Sequence, residues 1–260
     1  MKTLIIFAKA PLIGTVKTRL AADTSMTDEQ VLMLYEAFLY DTFTIAALTT
    51  AEMILVRFTP KSEEKHIRRI INKLNLHDYS KNRFMLAPQH GETFTDKIRY
   101  SFNNATDLGG DEIVMIGSDS PLLKPSVVEM AFDFLCANSG MSLGPSGEGG
   151  VYLIGLRGPV LISFDGVFTC GTELENLALL AKEKNLPLQV LPENLDVDLE
   201  ADLITLVSII RATNYSYNFP ELFFPTKTAL MIEELGITIE RSGSGSRGKS
   251  ITVQQYHAGV

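Results

Sequence analysis

From its first residues the chain alternates short, β-branched apolar runs with longer amphipathic segments, and that rhythm leaves few folds open. TLIIFA, MILVRF, FMLAPQ and EIVMIGSD read as four strands. The segments between them, about 28–48, 61–74 and 93–105, have helical periodicity, the first introduced by the capping sequence TDEQ, and a further helix begins near Pro125. Strands that are apolar on both faces belong to a mostly parallel sheet covered by helices on each side. With 260 residues, 45% of them hydrophobic, the chain can fill such a core in one main domain.

The rhythm breaks at SLGPSGEGGVYLIGL, where two short strands flank a glycine-rich turn and leave no room for a helix. It resumes with the helix GTELENLALLAKEKN, the strand PLQVLP and the helix EADLITLVSIIRA. From Thr213 the composition turns aromatic and proline-punctuated, in NYSYNFPELFFPTK, before a helix and a hairpin. These shifts predict a main domain over 1–212 and a C-terminal appendage over 213–260.

One stretch of the appendage, GSGSRGKS at 243–250, fits the written pattern of a phosphate-binding P-loop. A P-loop works by opening straight into a helix whose N-terminus faces the phosphate. Here ITVQQYHAGV follows, which is strand-like and ends the sequence, so the stretch is expected to be the turn of a hairpin joining ITIE to SITVQQY.

Charge and cysteine content narrow the function. A net charge of −8 and a pI near 5.1 argue against a nucleic-acid footprint and leave small-molecule partners. Cys136 and Cys170 have no metal-ligand spacing, which predicts a reduced, cytoplasmic protein. The apolar start of MKTLIIFAKAPLIG is interrupted by Lys9 and Pro11 before a signal sequence could be completed, and no membrane span is expected.

In a doubly wound sheet, ligands bind beyond the carboxyl ends of the strands where the order reverses. A 3-2-1-4 order makes the residues after the first and fourth strands the ones of interest. After the first comes AKAPLIGTVKTRL, in which Lys9, Lys17 and Arg19 could spread over the oxygens of a di- or triphosphate, with Gly14 and Thr15 offering backbone amides. After the fourth comes GSDSPLL, which delivers Asp119 between Ser118 and Ser120. Such a carboxylate suits a hard cation, Mg²⁺ or Mn²⁺, bridging the phosphates. In LDVDLEADL the extended spacing turns Asp196 and Asp198 to one face, so that one could complete a metal site and the other cap the following helix. In GPSGEGGVYLIGL, Glu148 is held among glycines where it could act as a base toward an acceptor.

FAKAPLIGTVKTRL, IGSDSPLL, GPSGEGGVYLIGL and LDVDLEADL, in that order, resemble the DUF2064-type glycosyltransferase family of the nucleotide-diphospho-sugar transferase (GT-A) superfamily. The resemblance covers about the first 205 residues. It implies a Rossmann-like GT-A sheet, a nucleotide held by the loop after the first strand with Lys9, Lys17 and Arg19 on its phosphate positions, a divalent metal at Asp119, and Asp198 or Asp196 on the later acidic motif. The residues themselves offer Asp119 and Glu148 as the acids of catalysis. The sequence departs from the family in carrying Glu148 where Asp-Gly-Gly is usual, and FTCGTE where a tryptophan-containing segment is usual. The reading is a metal-dependent transferase with a nucleotide-activated donor, first a glycosyltransferase using a nucleotide sugar and an acceptor. The alternatives are a nucleotidyltransferase that releases pyrophosphate and a nucleotide-binding protein without turnover.

Overall fold

The alternation along the first strand fixes the layering of the molecule. In the computed structural model, which describes residues 1–160, 162–216, 224–241 and 248–253, strand β1 (Lys2–Lys9) turns Leu4, Ile6 and Ala8 to one face. Ile5 and Phe7 point to the other, because successive side chains of a strand alternate. Each face carries its own core. A short helix α1 (Thr18–Asp23) and the long α2 (Asp28–Leu48) follow, the latter begun by a reciprocal capping box between Thr27 and Gln30.

The next units are β2 (Met53–Thr59), α3 (Glu64–Lys73), the single turn α4 (Asp78–Lys81), β3 (Phe84–Pro88), α5 (Phe94–Asp107), β4 (Glu112–Ile116) and α6 (Pro125–Ala137). Then come β5 (Met141–Pro145), β6 (Val151–Arg157), α7 (Glu173–Glu183), β7 (Leu188–Val190) and α8 (Glu200–Asn214). The sheet has the order β3-β2-β1-β4-β6-β5-β7, and β6 alone runs against the other described strands. The expected 3-2-1-4 order and mostly parallel sheet are thus present. Because the glycine turn joins β5 to β6 without a helix, β6 must return antiparallel.

Helices α2, α3, α6 and α8 cover one face, and α5 and α7 cover the other. At 21 residues and a mean hydropathy of 1.4, α2 is long and apolar enough to cross a membrane, which corrects the expectation that no segment reaches that length and apolarity. Its apolar side chains, among them Leu34, Phe38 and Phe43, are buried in the first core.

The C-terminal elements are α9 (Thr226–Glu234), β8 (Ile237–Arg241) and β9 (Lys249–Val253). Their buried side chains Met231, Ile237 and Ile251 join the same core as α2 and α8. Buried Asp41 of α2 accepts the backbone amides of Lys227 and Thr228 at 3.1 and 2.7 Å and so satisfies the first turn of α9. The β8 and β9 strands pair antiparallel, with Lys249 and Ser250 inside a strand rather than at a helix N-terminus. The expected turn between them falls largely on 242–247, outside the described residues, as does most of the aromatic stretch after Thr213.

Candidate functional site

Beyond the carboxyl ends of β1 and β4 lies a cavity of ≈ 680 Å³, at the switch point where the strand order reverses. The loop after β1 is drawn inward by Lys17, the residue preceding α1. Its backbone is left-handed, φ 49 and ψ 40, a conformation costing about 1 kcal/mol or more outside glycine, and its side chain is 3% exposed. The ammonium Nζ lies 2.9 Å from Asp119 Oδ1 and 2.8 Å from Asp198 Oδ1. The basic loop and the carboxylate after β4 therefore meet directly, with the lysine head itself as the cation between two acids.

Backbone bonds hold the acids in place. The Val197 amide donates to the Asp119 carbonyl at 2.9 Å, fastening the later acidic motif to the end of β4, and Ser120 Oγ donates to Asp196 at 3.2 Å. Neither Asp196 nor Asp198 caps α8, as one of them was expected to do. Asp202 does so by reaching back one turn to accept the amides of Asp198 and Leu199 at 3.0 and 2.8 Å. That leaves both earlier carboxylates turned to the cavity. On the other side, the hydroxyl of Tyr35 in α2 lies within 3.1 Å of the Lys9 backbone amide, 3.0 Å of its carbonyl and 3.2 Å of Ser118 Oγ. It thereby ties the end of β1 to the end of β4.

The electrostatics follow from three carboxylates around one ammonium. Burial alone would push the Lys17 pKa down, but Asp119 and Asp198 outweigh it and raise it. Asp198 feels the same contest from the other side: burial works upward, and the ion pair with Lys17 holds the carboxyl below its ordinary range. Asp196 lacks such a partner. Burial first, and the nearby Asp119 second, push it up to about 6. Tyr35 is raised by burial and by Asp119.

Among the described residues, no three His, Cys, Asp or Glu side chains form a ready metal cage. The donor chemistry nonetheless fits a hard cation held by a few carboxylates plus phosphate oxygens, the usual manner for Mg²⁺. Only one oxygen each of Asp119 and Asp198 is engaged by Lys17, and Asp196 has the Ser120 hydroxyl but no cation within ion-pair distance among the described residues.

Lys9 and Arg19 also line the cavity and are exposed, and among the described residues neither has a carboxylate within ion-pair distance. Ser118 lines it as well, held by Tyr35. Gly14 and Thr15 do not reach the cavity. Gly14 makes the left-handed turn at φ 69, while the amide and hydroxyl of Thr15 both donate to the Leu12 carbonyl, at 3.2 and 3.0 Å. Glu148 lies at the rim, also left-handed at φ 56. Its neighbour Gly149 must be glycine, since a Cβ there would come within 2.6 Å of the Thr172 side chain.

Tyr35 carries no signal in the sequence, where it reads as one more apolar helix position. Gln89 was missed too, although its Nε2 lines the site by donating to the Ala8 and Arg57 carbonyls at 3.0 and 3.3 Å. The trio Phe94, Lys97 and Ile98, which also line the cavity, was legible in principle as an i, i+3, i+4 face next to a capping box.

This strand order, with its switch-point cavity and acid-lined rim, defines a nucleotide-diphospho-sugar transferase-type fold, as the four motifs imply. The sequence match bears out the resemblance: residues 44–170 match the family model described as an uncharacterized protein conserved in bacteria, DUF2064. That segment contains Asp119 and the glycine loop but neither the basic loop nor the later acidic motif, which reach the site through the fold.

A crystal structure from Desulfovibrio desulfuricans G20, of a candidate nucleotide-diphospho-sugar transferase, is similar at 26% identity and a TM-score of 0.73, over 90% of this chain and 95% of that one. A cytidylyltransferase from Leptospira borgpetersenii serovar Hardjo-bovis shares the fold at 16% identity and a TM-score of 0.51, over 90% and 94% of the two chains. The 4-diphosphocytidyl-2C-methyl-D-erythritol synthase of Anaerococcus prevotii shares it at 10% identity and a TM-score of 0.51, over 81% and 99%. No curated protein matches.

Proposed function

We propose that this protein is a metal-dependent transferase that takes a nucleotide-activated donor, with glycosyl transfer from a nucleotide sugar as the reaction. The observation that carries the proposal is the Lys17 ammonium clasped by Asp119 and Asp198 inside the switch-point cavity, with Lys9 and Arg19 at its edge and without an ion-pair partner among the described residues. Two exposed cations beside an acid cluster suit a diphosphate, whose developing charge on departure most needs stabilising. The likeness to the Desulfovibrio protein, at 26% identity, supports the same class.

In this reading Lys9 and Arg19 bind the phosphates, while Lys17 keeps Asp119 and Asp198 in register and has one N–H left for an oxygen. Asp119, Asp196 and Asp198 would hold Mg²⁺ or Mn²⁺, which when bound adds positive charge against the diphosphate. The acceptor hydroxyl oxygen bonds to the anomeric carbon as the bond from that carbon to the phosphate oxygen breaks. The bonding pair leaves with the nucleoside diphosphate, and the hydroxyl proton passes to a carboxylate base, a role this reading gives to Glu148, which lines the cavity.

Product analysis tests it. The purified protein is incubated with Mn²⁺ or Mg²⁺ and panels of nucleotide sugars, nucleoside triphosphates and acceptors. Release of a nucleoside diphosphate supports glycosyl transfer, and release of pyrophosphate from a triphosphate replaces it with nucleotidyl transfer. Tight nucleotide binding without either product leaves a binding protein.

A further inference from the structure

The cavity has two unlike halves because it straddles the edge of the sheet. Lys17, Asp196 and Asp198 flank Val16 and Val197 of the first core, whereas Ile98, Val151 and Phe168 belong to or pack against the second, and Phe94 rests on Phe7 and Phe168 there. On that second side the lining is an aromatic wall. Phe94, the first residue of α5, stands edge-on between two rings, 5.6 Å from Phe7 at 87° and 5.1 Å from Phe168 at 89°.

The wall is built rather than incidental. The Thr93–Asp96 capping box fixes the turn that carries Phe94. Phe168 stacks on Phe164 at 6.2 Å, which in turn stacks on Phe102 in the core at 5.6 Å. Arg99 donates to Asp165 at 3.4 Å, pinning that loop to α5. Yet Phe94 remains 52% exposed, so a pre-ordered phenyl ring faces the cavity in water. Beside it, one helical turn on, Lys97 lines the cavity, and among the described residues it has no carboxylate within ion-pair distance.

We infer that the wall of Phe7, Phe94 and Phe168, together with Lys97, is the acceptor subsite, and that it takes a molecule joining an apolar or aromatic face to an anionic group. The inference rests on the transferase reading, in which the diphosphate occupies the other half. A nucleobase would also stack on phenyl rings, but it is neutral and would leave Lys97 without a partner. The same cavity is lined by Glu148 of the glycine loop, whose Gly149 abuts Thr172 at the start of α7.

The test uses 2-naphthyl phosphate as the probe, titrated by its fluorescence against the whole protein with and without a saturating nucleoside diphosphate and Mg²⁺. Neutral 2-naphthol and inorganic phosphate are the controls, and calorimetry measures nucleotide affinity separately. The naphthyl phosphate should bind at least tenfold more tightly than either control and should not be displaced by the nucleotide. Phe94→Ala should weaken it tenfold or more, Phe94→Leu less, and Lys97→Met should reduce it to the level of 2-naphthol. Nucleotide affinity should change less than twofold in all three variants, and the exposure of Phe94 leaves the fold intact. Loss of nucleotide and probe together in Phe94→Ala would assign the wall to the base and overturn the inference. A probe that binds no better than its controls while the nucleotide binds normally would overturn it and leave the transferase reading standing. Failure of the wild type to bind any nucleotide would instead defeat that reading.

Discussion

Replacing Lys17 by methionine keeps the unbranched apolar stem and the Cβ but removes the ammonium on which the site is built. The wild-type ammonium is 3% exposed and contacts two carboxylates that are 32% and 51% exposed. Breaking a fully buried ion pair by deleting one partner costs about 3–5 kcal/mol, because a charge is left stranded. Here both acids keep partial access to water, which screens them, so the expected loss is about 2–3 kcal/mol. For a chain of this size that is a fall in melting temperature of roughly 4–12 °C. Lys17→Gly relieves the left-handed backbone at φ 49 by about 1 kcal/mol but also removes the buried stem that methionine keeps, which costs more, so it should be destabilised further than Lys17→Met. Urea denaturation of the three proteins measures both differences. Mg²⁺ at millimolar concentration should raise the midpoint of Lys17→Met more than that of the wild type, since three carboxylates then face each other without a cation. A loss below about 0.5 kcal/mol for Lys17→Met would refute the claim that this ammonium holds the acids together.

Asp41 offers a pH-dependent test. Burial raises its pKa from 3.8 to about 6, so between those values the folded chain binds more protons than the unfolded one, and stability from this group falls as pH rises through that window. The span corresponds to at most about 3 kcal/mol, and the gap in melting temperature between wild type and Asp41→Asn should shift in favour of the wild type as pH is lowered from 7 to about 4.5; a constant gap across that range would exclude it. Tyr35→Phe removes a hydroxyl shared by Lys9 and Ser118 and should cost about 1–2 kcal/mol by denaturation while weakening nucleotide binding; unchanged stability would mean that the two strand ends do not depend on it. Lys249→Ala, in strand β9, should leave nucleotide affinity measured by calorimetry untouched, and a tenfold loss would revive the phosphate-loop pattern as a working site.

Much of the architecture was readable because strand and helix periodicities are local. TLIIFA and EIVMIGSD alternate between two buried faces, and no other arrangement would cover both. The helixless glycine turn likewise announced the antiparallel strand. The short helix α1 was not readable, for six residues have too few apolar positions to show a period. The capping of α8 was misassigned because LDVDLEADL offers three aspartates within seven positions, and spacing alone does not say which one reaches back to the amides.

The chemical components of the site were written in the sequence: cations after the first strand, a carboxylate after the fourth, two more near residue 197. What the sequence by itself determined is the sheet that carries them and the strand ends where they stand. Only the tertiary structure decided their partnership. A lysine 102 positions before one aspartate and 181 before another becomes their shared cation because parallel strands bring remote loops to one edge, and no local pattern encodes that distance. The same holds for the aromatic wall, where rings from β1, α5 and the loop before α7 meet only because the sheet places its second face beneath all three.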